Sequence, residues 1–290
     1  MDYLFHMLVV ACIYGTLAIA LNLVLGYTGL LSLAQAAFYG LGAYSSALAS
    51  VHLGLPFSVG MIIGGATAAA LSLVVSLSAA RLRDDYFAIA TFGFQYIVWH
   101  LVNNWTDVTR GPMGIAGIPR PSVLGFTMAS PVSFLVLAVG MLLIAYVVSA
   151  RIVRSQFGRV LLAIREDEAL AEMLGKSPLQ FKVKVFGVCA FLAGMAGAAY
   201  GHYFTYVSPT SFTVMESILI LAMVIIGGAG SLAGPIVGAT LLVALPEVLR
   251  FLGIPSSAAA TMRQVIYGGV LVAVALYRPK GLLGRFGFGL

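Results

Sequence analysis

Residues 8–38 read LVVACIYGTLAIALNLVLGYTGLLSLAQAAF. Residues 8–25 carry no charge, and a helix that crosses the hydrocarbon core needs about 20 apolar residues. Gly26-Tyr27-Thr28-Gly29 then interrupts the run, and a second apolar run restarts at Leu30 with Ser32 and Gln35 inside it. No Asp, Glu, Lys or Arg occurs anywhere from Tyr3 to Ala80. The apolar residues lie in continuous runs and do not alternate with period two, which argues against a β-barrel. The stretch reads as helices in a membrane, and the chain as an all-α integral membrane protein.

The rest of the chain agrees. Of 290 residues, 61% are hydrophobic and 9% are charged, against about 25% charged in soluble domains. So few charges cannot cover a soluble surface of this size. A soluble enzyme, a nucleic-acid binder and a disordered scaffold are excluded. The N-terminus lacks a basic leader, so its apolar run reads as a first span, not a cleavable signal. Cys12 and Cys189 lie in apolar runs and behave as small hydrophobes.

Candidate spans fall near 4–25, 30–52, 57–80, 86–103, 131–150, 183–206, 215–230, 235–252 and 263–278, a polytopic bundle of about 8–10 helices. Residues 1–290 form one membrane-spanning unit with two longer polar stretches. Residues 103–130, rich in Pro and Gly, read as a non-helical loop. Residues 151–184 hold seven basic and four acidic residues in a helical pattern. Placing 151–184 in the cytoplasm and alternating the spans puts twelve Lys and Arg inside and four outside, as the positive-inside rule requires. That arrangement starts the chain outside, although one extra re-entrant segment near 26–35 would reverse the first span.

Catalytic signatures are lacking. Gly175-Lys176-Ser177 resembles the end of a phosphate loop, but residue 170 is Leu where glycine is required. It reads as a helix stop, with Gly175 at C′ and Pro178 beyond. Gly228-Ala229-Gly230-Ser231 has no βαβ context for a dinucleotide site. The histidines His6, His52, His100 and His202 show no metal-ligand spacing. Glu216 and Glu247 fall near predicted outer ends of spans, where water solvates them; in mid-membrane either one would demand a partner and point to function.

Polar residues inside the spans have more to say. Asn22, Ser32, Gln35, Thr91 and Gln95 need hydrogen-bond partners away from water. They either tie helices together or line a translocation route. Gly227, Gly228, Gly230 and Gly234 either allow close helix packing or break a helix beside a path. Gly60/Gly64 and Gly197/Gly201 repeat the small-residue spacing of close packing. In the charged loop, a helix over 159–174 puts Arg165, Glu168 and Glu172 on one polar face and Ala163, Leu170 and Leu174 on an apolar stripe. Its mixed charge favours docking to a partner protein over adhesion to anionic lipid.

Arg165-Glu166-Asp167-Glu168, followed by Ala171-Glu172-Met173-Leu174-Gly175, resembles the coupling loop of ABC-importer permeases. The match is closest to the branched-chain amino acid permease family, in particular its M-type subunit. Residues 25–38, Tyr86-Phe87-Ala88-Ile89-Ala90-Thr91, Arg110-Gly111-Pro112-Met113-Gly114, 226–235 and Arg278-Pro279-Lys280-Gly281-Leu282 agree in order along nearly the whole chain. Two departures stand out. The importer consensus Glu-Ala-Ala-x-x-x-Gly would place Glu at 169, whereas the acid here is Glu168. Ala34 replaces a common glycine. The resemblance implies a permease for leucine, isoleucine and valine in the bacterial inner membrane, with relatives for amides, urea or sugars as the alternative. It implies a sister permease subunit, two cytoplasmic ATPases that hold ATP and Mg, and a periplasmic binding protein that docks near 103–130. It implies no cofactor on this chain and no nucleic-acid partner. A stand-alone carrier or channel, or a non-transporting scaffold, would instead work without an ATPase.

Overall fold

The computed structural model describes residues 2–79, 84–123, 126–127, 130–251, 266–269, 271–274, 276–278 and 280–284. Arg81, Arg83, Arg263, Pro279 and Arg285 lie outside the described residues, as do the side chains of Glu247 and Arg250.

The chain is a helical bundle, and each predicted span contains helix. The order begins with α1 (Asp2–Thr28), α2 (Gln35–Leu53), α3 (Phe57–Ala79), α4 (Asp84–Asn104) and the single turn α5 (Thr106–Thr109). It continues with α6 (Pro131–Arg154), α7 (Gln156–Glu166), α8 (Glu168–Met173), α9 (Pro178–Phe204), α10 (Val214–Gly227) and α11 (Gly234–Phe251). Residues 266–269, 271–274 and 276–277 are helical within the last predicted span. Among the described residues, α1, α3, α6 and α9 are each long and apolar enough to cross a bilayer. Of these, α1 is central, with 78% of its apolar window buried against 28% for α6. It packs on α6, α9, α10 and α11, while α2, α3 and α9 pack on one another.

Glycines set the closest approaches. A Cβ on Gly194 of α9 would lie 2.4 Å from the carbonyl oxygen of Gly64 on α3. One on Gly42 of α2 would lie 2.1 Å from the Gly194 oxygen. One on Gly197 would lie 1.9 Å from the Tyr39 oxygen. Helix backbones therefore touch directly where α2, α3 and α9 cross, as small residues allow in lipid.

Two ends of the bundle can be told apart by contacts. Arg165, in the last turn of α7, reaches Gly26 near the end of α1. At the other end His6 of α1 bonds Tyr203 of α9, Nδ1 to Oη 2.8 Å. There the 105–123 segment packs against the end of α9. Its β1 (Ile115–Ala116) pairs antiparallel with β4 (Tyr206–Val207), which follows α9, and its β2 (Ser122–Val123) pairs with β3 (Phe126–Thr127). The α1 chain therefore starts at the 103–130 end and finishes at the charged-loop end. This fixes its direction relative to that loop, which the sequence left open.

The structure corrects several boundaries. Residues 103–130 are not wholly non-helical, since they hold α5 and a 3₁₀ turn at Gly111–Met113. Helix α9 begins at Pro178, five residues before the predicted span, because Pro178 at the first helical position has its fixed φ pre-set for helix. Helix α2 begins only at Gln35, and residues 29–34 are non-helical. Gly29, at φ +79, turns the chain out of α1.

Candidate functional site

Helix α2 starts deep inside the protein, where its first backbone N–H groups cannot reach water. Side chains replace the water. The Leu33 N–H donates to Thr91 Oγ1 (3.1 Å), the Ala34 N–H to Ser32 Oγ (3.3 Å) and the Ala36 N–H to Ser217 Oγ (2.9 Å). Gln35 Nε2 donates to the Leu17 carbonyl in mid-α1 (3.1 Å), and Gln35 Oε1 accepts from Cys189 Sγ. Gln95 Nε2 donates to the Phe212 carbonyl (2.8 Å), and Gln95 Oε1 accepts from Ser217 Oγ. Ser32, Gln35, Thr91 and Gln95 are all buried. The structure brings these four together around one buried helix start, where they satisfy backbone groups and do not face an open channel.

Asn22 belongs to a neighbouring cluster. Its Nδ2 donates to the Ser231 carbonyl (2.8 Å), and its Oδ1 accepts from the Gly230 N–H (2.9 Å). Tyr27 Oη donates to the Gly230 carbonyl. A short polar stretch between α10 and α11 is thus held by α1. Helix α10 ends at Gly227, and Gly228 and Gly230 take φ of +109° and +77°. Both glycine roles occur: Gly228 and Gly230 break the helix, while Gly227 and Gly234 pack backbone to backbone. The carbonyls of Ile226 and Gly227, left without partners by the break, accept from the N–H groups of Leu282 and Leu283 (both 2.9 Å). A Cβ on Gly228 would lie 2.1 Å from the Gly284 nitrogen, so only glycine admits that segment.

The charged loop is two helices, not the single helix expected over 159–174. Asp167 has extended backbone, and its carboxylate accepts from the Leu170 N–H (3.0 Å) as the N-cap of α8. The capping signal outcompetes continued helix. The break separates the residues expected on one polar face. Arg165 turns inward and donates to the Gly26 carbonyl. Burial lowers its pKa, partly offset by the Glu166 carboxylate. Glu168 forms an ion pair with the buried Lys182 of α9 (2.5 Å). Ala171 is buried, and Glu166, Asp167 and Glu172 face outward. Helix α8 ends in a Schellman motif: the Lys176 N–H donates to the Ala171 carbonyl, the Gly175 N–H to the Glu172 carbonyl, and Gly175 has φ +75°. Leu170, Met173 and Leu174 project outward, with Met173 84% exposed. The result is an apolar tip rimmed by charge.

Glu216 differs from its sequence reading, while His202 is a histidine hydrogen-bonded within the bundle and not a metal ligand. Glu216 is not at a solvated helix end. It lies in the first turn of α10 and accepts a hydrogen bond from Tyr14 Oη, near the middle of α1. Helix α10 has only 14 residues, too few to cross a bilayer, and its first turn lies level with the middle of α1. His202 is buried, with Nε2 beside Ser46 and Ser50 and Nδ1 beside the Pro119 carbonyl (2.8 Å). It joins the 103–130 segment to the bundle. Among the described residues no His/Cys/Asp/Glu group has the makings of a metal site.

Comparison with known proteins agrees with this architecture. The family described as "Branched-chain amino acid transport system / permease component" matches residues 3–275. The chain is 36% identical to the high-affinity branched-chain amino acid transport system permease protein LivM of Escherichia coli K12, over 93% of this chain and 68% of that protein. It is 22% identical to the corresponding LivH permease protein of Salmonella typhimurium, over 98% of this chain and 96% of that protein. Among solved structures it resembles "PsaBC from Streptococcus pneumoniae in complex with Fab", with a TM-score of 0.51 and 17% identity, over 97% of this chain and 93% of the other. That last likeness concerns the fold.

Proposed function

The chain belongs to the branched-chain amino acid transport permease family and is a multi-pass membrane protein, and from that premise we propose that it is the membrane subunit through which an ATP-driven importer moves leucine, isoleucine and valine into the cell. It sits in the bacterial inner membrane with the charged loop in the cytoplasm. A sister permease subunit completes the membrane part. Two cytoplasmic ATPases bind ATP and Mg, and a periplasmic binding protein delivers the solute to the 103–130 end. Hydrolysis belongs to the ATPases, and this chain takes no cofactor.

The observation that carries the reading is the contact from Arg165 to Gly26. It ties the charged loop directly to the end of the central helix. Helix α8 offers Leu170, Met173 and Leu174 to a groove on the ATPase, with Glu166, Asp167 and Glu172 around them. Motion of α8 passes through Arg165 to Gly26. It then reaches the α10–α11 break, because a Cβ on Gly26 would lie 2.6 Å from the Gly230 nitrogen and Asn22 clasps the same turn. Such a hinge, made of closely packed parts, switches between discrete states. The solute path opens beside the buried start of α2, with Ser32, Gln35, Thr91 and Gln95 exchanging partners as it opens.

The test is reconstitution. The chain is co-expressed with its partner subunits, and uptake of labelled leucine into vesicles is measured with and without ATP. Uptake that needs ATP and is competed by isoleucine and valine is the expected result. Uptake by this chain alone on a proton or sodium gradient would reject the reading.

A further inference from the structure

A cavity of about 360 Å³ runs along one face of α1. Tyr3, His6, Met7, Val10 and Tyr14 line it, and their spacing places them on a single helix stripe. The cavity extends from the first turn of α1 to its middle, with Leu219 and Met223 of α10 and Leu242 of α11 forming apolar wall. At its deep end stands Glu216. A carboxylate at this depth in a membrane protein is costly and marks a functional site by default. Tyr14 donates one hydrogen bond to it, and a carboxylate accepts several.

Among the described residues the lining holds one carboxylate, Glu216, and combines aliphatic wall with the polar tips of His6, Tyr3 and Tyr267; that set fits an aliphatic chain carrying a primary ammonium group. The ammonium supplies the charge and the donors that Glu216 lacks, and the branched chain fills the space beside Met223 and Leu219. The volume lies within the range of small-molecule pockets. We propose that Glu216 receives the α-ammonium group of the amino acid as it enters from the 103–130 end. This proposal rests on the transport reading above and on its assignment of that end to the outside.

The experiment uses the full chain in lipid nanodiscs and saturation-transfer NMR on the methyl signals of three probes: L-leucine, 3-methylbutylamine and 4-methylpentanoate. Leucine and the amine should receive saturation, and 4-methylpentanoate, which lacks the ammonium, should receive far less. Glu216→Gln keeps an acceptor for Tyr14 but removes the charge. It should weaken binding of leucine and the amine by roughly tenfold or more, as expected for losing one charge-assisted hydrogen bond. Tyr14→Phe leaves the carboxylate in place, so leucine and the amine should still be preferred over 4-methylpentanoate whatever the change in affinity, whereas a merely structural Tyr14–Glu216 pair predicts no such preference. If Glu216→Gln fails to fold, Met7→Trp, which fills the groove, should give the same loss. Equal saturation of the carboxylate probe, or unchanged binding in Glu216→Gln and Met7→Trp, would overturn the proposal. So would normal ATP-driven leucine uptake in a complex carrying Glu216→Gln. A wild-type complex that imports no leucine, while the nanodisc probes behave as expected, would locate the failure in the transport reading and leave the ammonium site standing.

Discussion

The guanidinium of Arg165 donates to the backbone carbonyl of Gly26, across 139 residues of sequence. The contact joins the cytoplasm-assigned loop to the last turn of the most buried helix. A carbonyl in that turn has no helical partner of its own, and Arg165 satisfies it. Replacing Arg165 with Ala should leave ATP hydrolysis by the assembled complex near wild type and cut leucine uptake by about tenfold, given about 1.5–3 kcal/mol for a charged hydrogen bond. Arg165→Lys should recover part of the loss, because ammonium lacks the planar fork. Parallel ATPase and uptake assays on proteoliposomes decide it, and equal loss of both activities would show that the contact only supports folding.

Glu168 and Lys182 form an unequal pair. Lys182 is 2% exposed and Glu168 is 49% exposed. Removing the carboxylate strands a buried ammonium. Solvent reaches the Glu168 side of the pair, so Glu168→Gln should cost about 1–2 kcal/mol, below the range for a fully buried pair. The double variant Glu168→Gln, Lys182→Met should regain most of that stability. Thermal unfolding of the four proteins in detergent gives the cycle, and a double variant no more stable than Glu168→Gln alone would contradict the burial argument.

Gly194 lies where α2, α3 and α9 touch. An added methyl would meet the Gly64 oxygen at 2.4 Å and the Ala68 Cβ at 2.8 Å. Backbone cannot yield as a side-chain tip can, so Gly194→Ala should cost about 1–3 kcal/mol. By contrast, a Cβ on Gly140 of α6 meets nothing within 4 Å. Gly140→Ala should be neutral or stabilising, since alanine favours helix by about 1 kcal/mol. The melting temperature should fall in Gly194→Ala and hold or rise in Gly140→Ala.

Asn22 uses both ends of its amide on one turn, donating to Ser231 and accepting from Gly230. Asn22→Asp keeps the acceptor and loses the donor, while Asn22→Leu loses both. Hydrogen exchange at 228–233 should therefore speed up in the order wild type, Asp, Leu. Unchanged exchange in Asn22→Leu would mean that backbone packing alone holds the break.

Apolar runs and glycine spacing made the bundle legible, because lipid imposes its demand on every residue of a span. Asn22, Ser32, Gln35, Thr91 and Gln95 were legible as residues in need of partners. Their actual partners were not, since most are backbone atoms of segments distant in sequence: the Phe212 carbonyl for Gln95, the Ser231 carbonyl for Asn22. The split at Asp167 carried a local signal, a capping residue three positions before Leu170, but helical periodicity on both sides masked it. Glu216 was misjudged because its depth depends on where α10 starts, and that start is set by the turns at 206–213.

Membrane helices leave the ribosome in order, from the N-terminal side. Helix α10 is made well before residues 280–284, yet the carbonyls of Ile226 and Gly227 accept their hydrogen bonds from Leu282 and Leu283. During biosynthesis these two groups must wait, bonded to water or to the insertion machinery, until the later segment arrives. The seam at Gly228 therefore cannot close until residues 280–284 have been made.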